Sequence, residues 1–558
     1  MKVIDRSTLI AVLLFMSACG GSSQEEPAAT VDATTSSIWF VEEASRRGVD
    51  FQLDVRDSGR FAIPEIMTGG VALFDMDADG DLDLYMVQSG PLVEAERAGD
   101  LPGNRLYENI GGGQYEDVTE GSGADDDGYG VGVAVGDYDG DGRIDLYVTN
   151  LGPNVLLRNT GDGTFEDVSQ ASGAGEPGFG SSAAFVDIDL DGDLDLYVCN
   201  YLDWDWSMET GCFNELGQPD YCSPNSYDAP APDVLLMNMG DGTFVDISDS
   251  SGVGAVLGNG LGVTFGDVNG NGLPDLFVAN DKMPDRLWIN AGDGTFTEEG
   301  MIRGCATGGD GSEKAGMGVD CVDLDDDGDL DLLVGNLVRE TDTLFLNDGG
   351  YFQDVTARRG LAALSRQYTR FGLGFVDFDH DGRLDLFEAN GRVLWQADKH
   401  STADVYAEPN LVLRQNATGR FEALPTVDGT AQPGVQTSRG AAFGDIDNDG
   451  DVDIVVANRN APVSMYINVA DKQQESLVLS VEDEAGRPAI GATVHVTLPD
   501  GRRIRREVQT AGSYCSASDA RVHVGGVDGP TTVEVHWPDG SKQVFADLRP
   551  GAVHRLTP

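Results

Sequence analysis

Short apolar runs rich in β-branched and aromatic residues recur along the chain, separated by glycine and aspartate. One stretch shows the unit in full. A glycine-bearing run, Gly130-Val-Gly-Val-Ala-Val-Gly136, enters an acidic segment and leaves it as Leu146-Tyr-Val-Thr-Asn150. Val155-Leu-Leu-Arg-Asn159 follows, and beyond the turn Gly161-Asp162-Gly163 comes Thr164-Phe165-Glu166-Asp167-Val168. Asp-Gly and Asn-Gly punctuation between such runs predicts antiparallel hairpins. Four strands in a repeat of roughly 50–60 residues is the pattern of a propeller blade. No long segment carries a helical period, which argues against a helical solenoid.

The acidic segment is the most regular part of the unit. Asp75-Met-Asp77-Ala-Asp79-Gly80-Asp81-Leu-Asp83 returns with first residues at Asp137, Asp187, Asp267, Asp323, Asp377 and Asp445. Successive copies start 62, 50, 80, 56, 54 and 68 residues apart, the longest interval holding an insertion at about 201–232. An asparagine marks the third strand of each copy: Asn109, Asn159, Asn238, Asn290, Asn347, Asn416 and Asn468. A fourth strand follows the first six but not Asn468. Trp39-Phe40-Val41-Glu42-Glu43-Ala44-Ser45, ahead of the first acidic loop, resembles the missing strand. The chain is therefore expected to fold as an all-β, seven-bladed propeller over 38–470, its N-terminal strand closing the last blade. Closure of this kind protects the open strand edges of a ring. A small all-β domain is expected over 471–558, where Val494, Val496 and Leu498 alternate with polar residues, as do Val533, Val535 and Trp537.

Charge changes this picture in one respect. Asp and Glu number 95 against 36 Lys and Arg, a net of -59 over 558 residues. Such a surface repels nucleic acid and anionic lipid, so neither is an expected partner. It also calls for neutralisation, and the acidic loops supply a means. Side chains at loop positions 1, 3, 5 and 9, with the carbonyl of position 7, surround one hard cation with oxygen, and calcium accepts six to eight such ligands. Glycine at position 6 permits the bend. The expected ligand sets are Asp75, Asp77, Asp79, Asp81 and Asp83; Asp137, Asp139, Asp141, Arg143 and Asp145; Asp187, Asp189, Asp191, Asp193 and Asp195; and Asp267, Asn269, Asn271, Leu273 and Asp275. The last three are Asp323, Asp325, Asp327, Asp329 and Asp331; Asp377, Asp379, Asp381, Arg383 and Asp385; and Asp445, Asp447, Asp449, Asp451 and Asp453. Up to seven calcium ions are expected. The fourth site, with two amides in place of carboxylates, is expected to be weakest. These loops are not EF-hands, because position 12 is Met86, Val148 or Val198 in a strand rather than glutamate in a helix.

The N-terminus suggests export. Lys2 and Arg6 precede an apolar stretch from Leu9 to Met16, then Ser17-Ala18-Cys19. Residues 1–19 are read as a lipoprotein-type signal with Cys19 as the lipidated residue, and 20–37 as a flexible tether with a reach of roughly 20–25 Å. Gly20, where an inner-membrane protein would carry Asp, favours an outer-membrane or cell-surface location; periplasmic or secreted forms are the alternatives. Membrane contact is then through the lipid alone. The six further cysteines permit disulfides in an oxidising compartment. Cys212 with Cys222, inside the insertion, is the first candidate pair, and Cys305 with Cys321 the second.

Val133-Ala-Val-Gly-Asp-Tyr-Asp-Gly-Asp-Gly-Arg-Ile-Asp-Leu-Tyr-Val148 resembles the FG-GAP/VCBS-type repeats of integrin α-like propellers. Ala489-Ile490-Gly491-Ala492, Gly512-Ser513-Tyr514 and Val533-Glu-Val-His-Trp537-Pro538-Asp539-Gly540 resemble the ASPIC/UnbV domain. Together the two parts are similar to the cartilage acidic protein family. The resemblance implies an extracellular calcium-binding propeller linked to adhesion or matrix-type interactions, and implies no reaction.

No G-x-S-x-G, H-E-x-x-H or P-loop pattern occurs. The six histidines are scattered, although His495, His523 and His536 fall in the C-terminal strands. A binding or adhesion module for an extracellular protein or glycan is therefore the favoured function. An assembly factor for a partner enzyme and a carbohydrate-active hydrolytic propeller are the alternatives. Trp204, Trp206, Tyr221 and Tyr227, in the insertion, either form the candidate ligand surface or pack the insertion onto the ring. Arg502, Arg503, Arg505 and Arg506 suit either a solvated edge strand or a docking contact with the acidic propeller or an anionic glycan.

Overall fold

The glycine-bearing run of each repeat forms an innermost strand, and the run after the acidic loop returns antiparallel beside it. The computed structural model describes residues 38–92, 103–395, 404–424 and 434–558. The expected signal segment, Cys19 and the tether lie outside these residues.

Among the described residues the ring has seven four-stranded units, numbered here as blades; five are separate sheets, and blades 2 and 3 share one eight-stranded sheet. Blade 1 comprises Val71–Phe74, Asp83–Met86, Arg105–Asn109 and Tyr115–Asp117. The innermost strands of blades 2 to 7 are Gly130–Gly136, Pro177–Val186, Gly260–Gly266, Val319–Val322, Arg370–Val376 and Ser438–Gly444. Each touches the next, and that of blade 1 touches that of blade 7, so the sheets close a ring. Blades 2 and 3 are further joined where Pro177, Gly178 and Phe179 pair with Pro153, Gly152 and Leu151. Glycine is required where inner strands meet backbone to backbone: a Cβ on Gly132 would lie 2.5 Å from the Ser181 carbonyl oxygen, and one on Gly372 2.5 Å from the Ala441 nitrogen.

Ring closure uses both ends of the propeller sequence. Phe40–Glu42 pairs antiparallel with Ser464–Asn468 as the outer strand of blade 7. Phe40 is fully buried and meets Phe378 of blade 6 edge-on at 5.1 Å.

The C-terminal part is a two-sheet sandwich. Glu475–Val481 lies between Val522–Val527 and Val553–Leu556, and the facing sheet runs Arg503–Glu507, Thr493–Thr497, Thr531–His536, Lys542–Leu548. Val494, Val496, Val533, Val535 and Trp537 fill its core, as their alternation requires. Between Arg503–Glu507 and Val522–Val527 the chain leaves the sandwich and enters the ring. Residues 509–519 bond to the inner strand of every blade. Ala517 N donates to Val71 O, Val133 N to Cys515 O and Cys515 N to Ser182 Oγ. Thr264 Oγ1 contacts Gln509 Oε1, Val319 and Ser513 exchange both backbone bonds, Leu373 N donates to Ser513 Oγ, and Asp519 N donates to Phe443 O. Tyr514, fully buried, meets Phe371 edge-on at 4.8 Å. The ring's central channel is filled by this plug.

The insertion closes the opposite end of the channel. Its Cys212–Phe213 and Pro219–Asp220 form a small hairpin, and Cys212 is bonded to Cys222. Tyr221 OH reaches Glu65 Oε2 at 3.2 Å, and Asp220 accepts from Trp395 N and Tyr406 OH. The insertion thus spans the segment that precedes blade 1 and the loop between the second and third strands of blade 6.

Three expectations are corrected here. Cys305 and Cys321 are separate buried thiols: Cys305 packs behind the short helix Gly300–Arg303, Cys321 lies on the inner strand of blade 5, and both act as small apolar residues in one core. Tyr221 is 3% exposed, and Trp204 and Tyr227 are half-buried with their polar atoms on Glu209. An insertion with so little regular sheet uses its aromatics to grip the ring; Trp206 alone stays at the rim, under the Arg60 guanidinium at 4.3 Å. Asn416 is not the third-strand residue of blade 6. That strand is Leu411–Gln415, and Asn416 belongs to the following turn, donating from its backbone to Arg420 O.

Candidate metal centres

Each acidic loop is wound by its own first aspartate. Asp75 accepts from the backbone N–H groups of Asp79 and Gly80, and the same pair of bonds recurs from Asp137, Asp187, Asp267, Asp323, Asp377 and Asp445. Two residues per loop are left-handed. Position 6 is always glycine, with φ between +81° and +97°. Position 4 is left-handed as well: Ala78, Gly140, Leu190, Gly270, Asp326, His380 and Asn448. The glycines, Asn448 and Asp326 tolerate this readily, while Ala78, Leu190 and His380 are held there by the loop.

The ninth residue ties the loop to the blade. Asp83 Oδ2 accepts from Met76 N and its Oδ1 from Asn109 N, both at 2.8 Å. Asp145, Asp195, Asp275, Asp331 and Asp453 do the same in their own blades. The third-strand asparagine then reaches sideways. Asn109 Nδ2 donates to Ile446 O in the loop of blade 7, Asn159 to Met76 O, Asn238 to Tyr138 O, Asn290 to Ile188 O, Asn347 to Val268 O and Asn468 to Phe378 O. Six blades are thereby fastened to the second residue of the preceding loop. The recurrence of asparagine is plain in the sequence, but its partner is not, because that partner is a backbone carbonyl in another repeat. In blade 6 the position is Gln415, whose backbone N–H reaches Asp385 Oδ1 at 2.8 Å but whose buried side-chain amide nitrogen has no partner.

The carboxylates at positions 1, 3 and 9 converge. In the loops of blades 1, 2, 3, 5 and 6 one oxygen from each of the three lies within 4.8 Å of the others. Burial, reinforced by the neighbouring aspartates and opposed by backbone donors, pushes the carboxyls of Asp83, Asp145, Asp195 and Asp331 up to about 8. Asp139 Oδ1, Asp379 Oδ1 and Asp447 Oδ1, all at position 3, are buried without a hydrogen-bond partner, as is Asp385 Oδ2. Buried anionic oxygens aimed at one another and lacking donors fit a hard cation with oxygen ligands.

The loops differ in what already opposes these charges. In blade 4, Asn269 Nδ2 donates to Asp275 Oδ2 at 2.8 Å, so an amide shares the ligand position. In blade 6, Arg414 Nη2 lies 2.6 Å from Asp379 Oδ2 and 3.0 Å from Asp381 Oδ2. At position 7, Arg143 and Arg383 fold back to pair with Asp141 and Asp381, leaving their carbonyls to the loop.

The C-terminal domain sits on this same face. Arg505 donates to Gly328 O and Asp267 O, Arg506 to Asp323 O, and Arg521 to Asp445 O. Two members of the basic run therefore dock on loop carbonyls, while Arg503 stays exposed beside Glu534.

Known proteins place these features in context. A family model of the FG-GAP-like repeat matches residues 75–148, 137–198, 213–278, 267–334, 323–388 and 397–477, and one described as ASPIC and UnbV matches 482–558. Cartilage acidic protein 1 of Homo sapiens is 25% identical over 352 residues, 60% of this chain and 50% of its own length. The Xenopus tropicalis protein of that name is 26% identical over 303 residues, 52% of this chain and 44% of its own. The chain spans about half the length of these curated relatives. A solved structure of an Agrocybe aegerita lectin that recognises non-reducing terminal N-acetylglucosamine overlaps more loosely, at TM-score 0.37 and 17% identity, covering 65% of this chain and 88% of its own. With its acidic-loop blades matched from 75 to 477 and its sandwich from 482 onward, the chain belongs to the FG-GAP-like repeat family and ends in an ASPIC and UnbV domain.

Proposed function

We propose that this chain is an exported, calcium-loaded propeller that binds an extracellular protein or glycan and is held to a membrane by a lipid on Cys19. Calcium neutralises the converging carboxylates and keeps each loop wound. The loops lie under the C-terminal domain, so the ions support structure first and recognition indirectly. The channel is filled by the plug, which favours a binding surface on the outside of the ring.

The disulfide-clipped hairpin of the insertion is the observation that carries this reading. Its tip presents Phe213 and Leu216 at 65% and 62% exposure, on a base fixed by Tyr221 and Asp220. Exposed apolar side chains on a rigid base suit recognition. Phe213, Leu216 and the rim residue Trp206, rather than the buried Tyr221, are the residues proposed to meet the ligand. The test is a screen of the calcium-loaded protein against glycan and matrix-protein panels. Selective binding that Phe213→Asp or Leu216→Asp abolishes, with melting temperature unchanged, is the expected result. A folded, calcium-loaded protein that binds nothing on either panel, or variants that bind as well as the parent, would overturn it.

A further inference from the structure

The outer face of the four-stranded C-terminal sheet gathers two histidines and a glutamate. His495 stands directly across from Glu534 on the neighbouring strand, and His536 lies two residues beyond Glu534, so the pleat turns all three to the same side. The imidazoles of His495 and His536 meet edge to face with centroids 4.7 Å apart. His536 Nε2 is 2.8 Å from Glu534 Oε1. The opposite face of these strands is the apolar core of Val494, Val496, Val533 and Val535, which fixes their positions.

We propose that His495, Glu534 and His536 form a binding site for one first-row transition-metal ion, separate from the acidic loops and of different chemistry. Two imidazole nitrogens and a carboxylate oxygen are a donor set for zinc, copper, nickel or cobalt; the all-oxygen loops suit calcium. The spacing fits. Two imidazoles sharing a tetrahedral ion at ordinary Zn–N distances have centroids about 5 Å apart, and a nitrogen and an oxygen on that ion lie about 3.3 Å apart. The observed 4.7 Å and 2.8 Å need only a slight opening. His536 and Glu534 keep 26% and 36% of their side-chain surface exposed, which gives an ion a way in and leaves the fourth position to water or an external donor.

Three cationic groups border the site. Arg505, paired with His495, is turned toward Glu507 and loop carbonyls. Lys542 pairs with His536. Arg503 Nη2 lies 3.3 Å from Glu534 Oε2 and competes for the carboxylate. Removing Arg503 should therefore tighten metal binding at this site.

The test uses the full chain in excess calcium, which occupies the acidic loops, and titrates cobalt(II) while following its visible d–d absorption and its displacement by zinc. The parent should take up one equivalent. His495→Ala and His536→Ala should each weaken uptake at least about tenfold, Glu534→Gln less, and Arg503→Gln should strengthen it. Unchanged calcium-dependent melting shows that the variants fold, and His536→Gln repeats the test with a milder change. No uptake by the parent, or equal uptake by the parent and both histidine variants, would overturn the proposal.

Discussion

Gln415 carries its amide one methylene too far to do what asparagine does in the other six blades. Its backbone takes the usual bond to Asp385, yet its buried side-chain nitrogen is unpartnered, and the equivalent acceptor would be the Leu324 carbonyl of blade 5. Gln415→Asn should complete the ring of fastenings and stabilise the protein by about 1 kcal/mol. In the converse direction, Asn347→Ala leaves the buried carbonyls of Val268 and Leu330 without their donor and should cost about 1–3 kcal/mol. Chemical denaturation reads both. Gln415→Asn without gain, together with Asn347→Ala without loss, would mean that the amide plays no part in blade docking. The same position shows where a sequence pattern misleads. Asn416 matches the repeating letter, but the strand register selects its neighbour, and register is set by cross-strand bonds that a sequence does not display.

Among elements, the acidic loop was legible almost in full. Its spacing, its glycine at position 6 and its carboxylate positions follow from one chain's repetition. What stayed hidden was the left-handed residue at position 4, which is glycine in two loops and alanine, leucine or histidine in three. Hidden too was the double role of position 9, which accepts two backbone bonds before any ion is considered. That role has a consequence for pH. Without metal, the folded loops hold protons on Asp83, Asp145, Asp195 and Asp331 up to about pH 8, whereas the unfolded chain releases them from about pH 4. The folded state then binds more protons than the unfolded one, so stability falls as pH rises through that interval. In chelator the melting temperature should decline from about pH 4 to about pH 8, and excess calcium should abolish the slope. A chelated protein with a flat profile would remove these carboxylates from the balance.

At the scale of the molecule, ring, plug and sandwich are bonded to one another, and this was the least legible level. The blade pattern gave the ring, because every blade repeats the same local grammar. The plug has no repeat to betray it: Gly512-Ser513-Tyr514 reads as an ordinary loop until its bonds to inner strands in other parts of the chain are seen. Tyr514→Ala should leave a cavity at the channel axis and cost about 3–5 kcal/mol. Calorimetry of the parent should show ring and sandwich melting together. Two separated transitions in the parent, or a Tyr514→Ala variant as stable as the parent, would break the coupling.

The strand that closes blade 7 also sets an order of events. Phe40–Glu42 is among the first described residues to be synthesised, yet its partner is Ser464–Asn468; the Met465 N to Glu42 Oε1 contact spans 423 residues. Until blade 7 has been made, this strand has nothing to pair with and the ring stays open. The plug comes later still. Contacts so distant in sequence make folding slow. The nascent chain therefore passes through a long interval with unpaired strand edges, one that a holding chaperone would have to cover before the plug locks the ring.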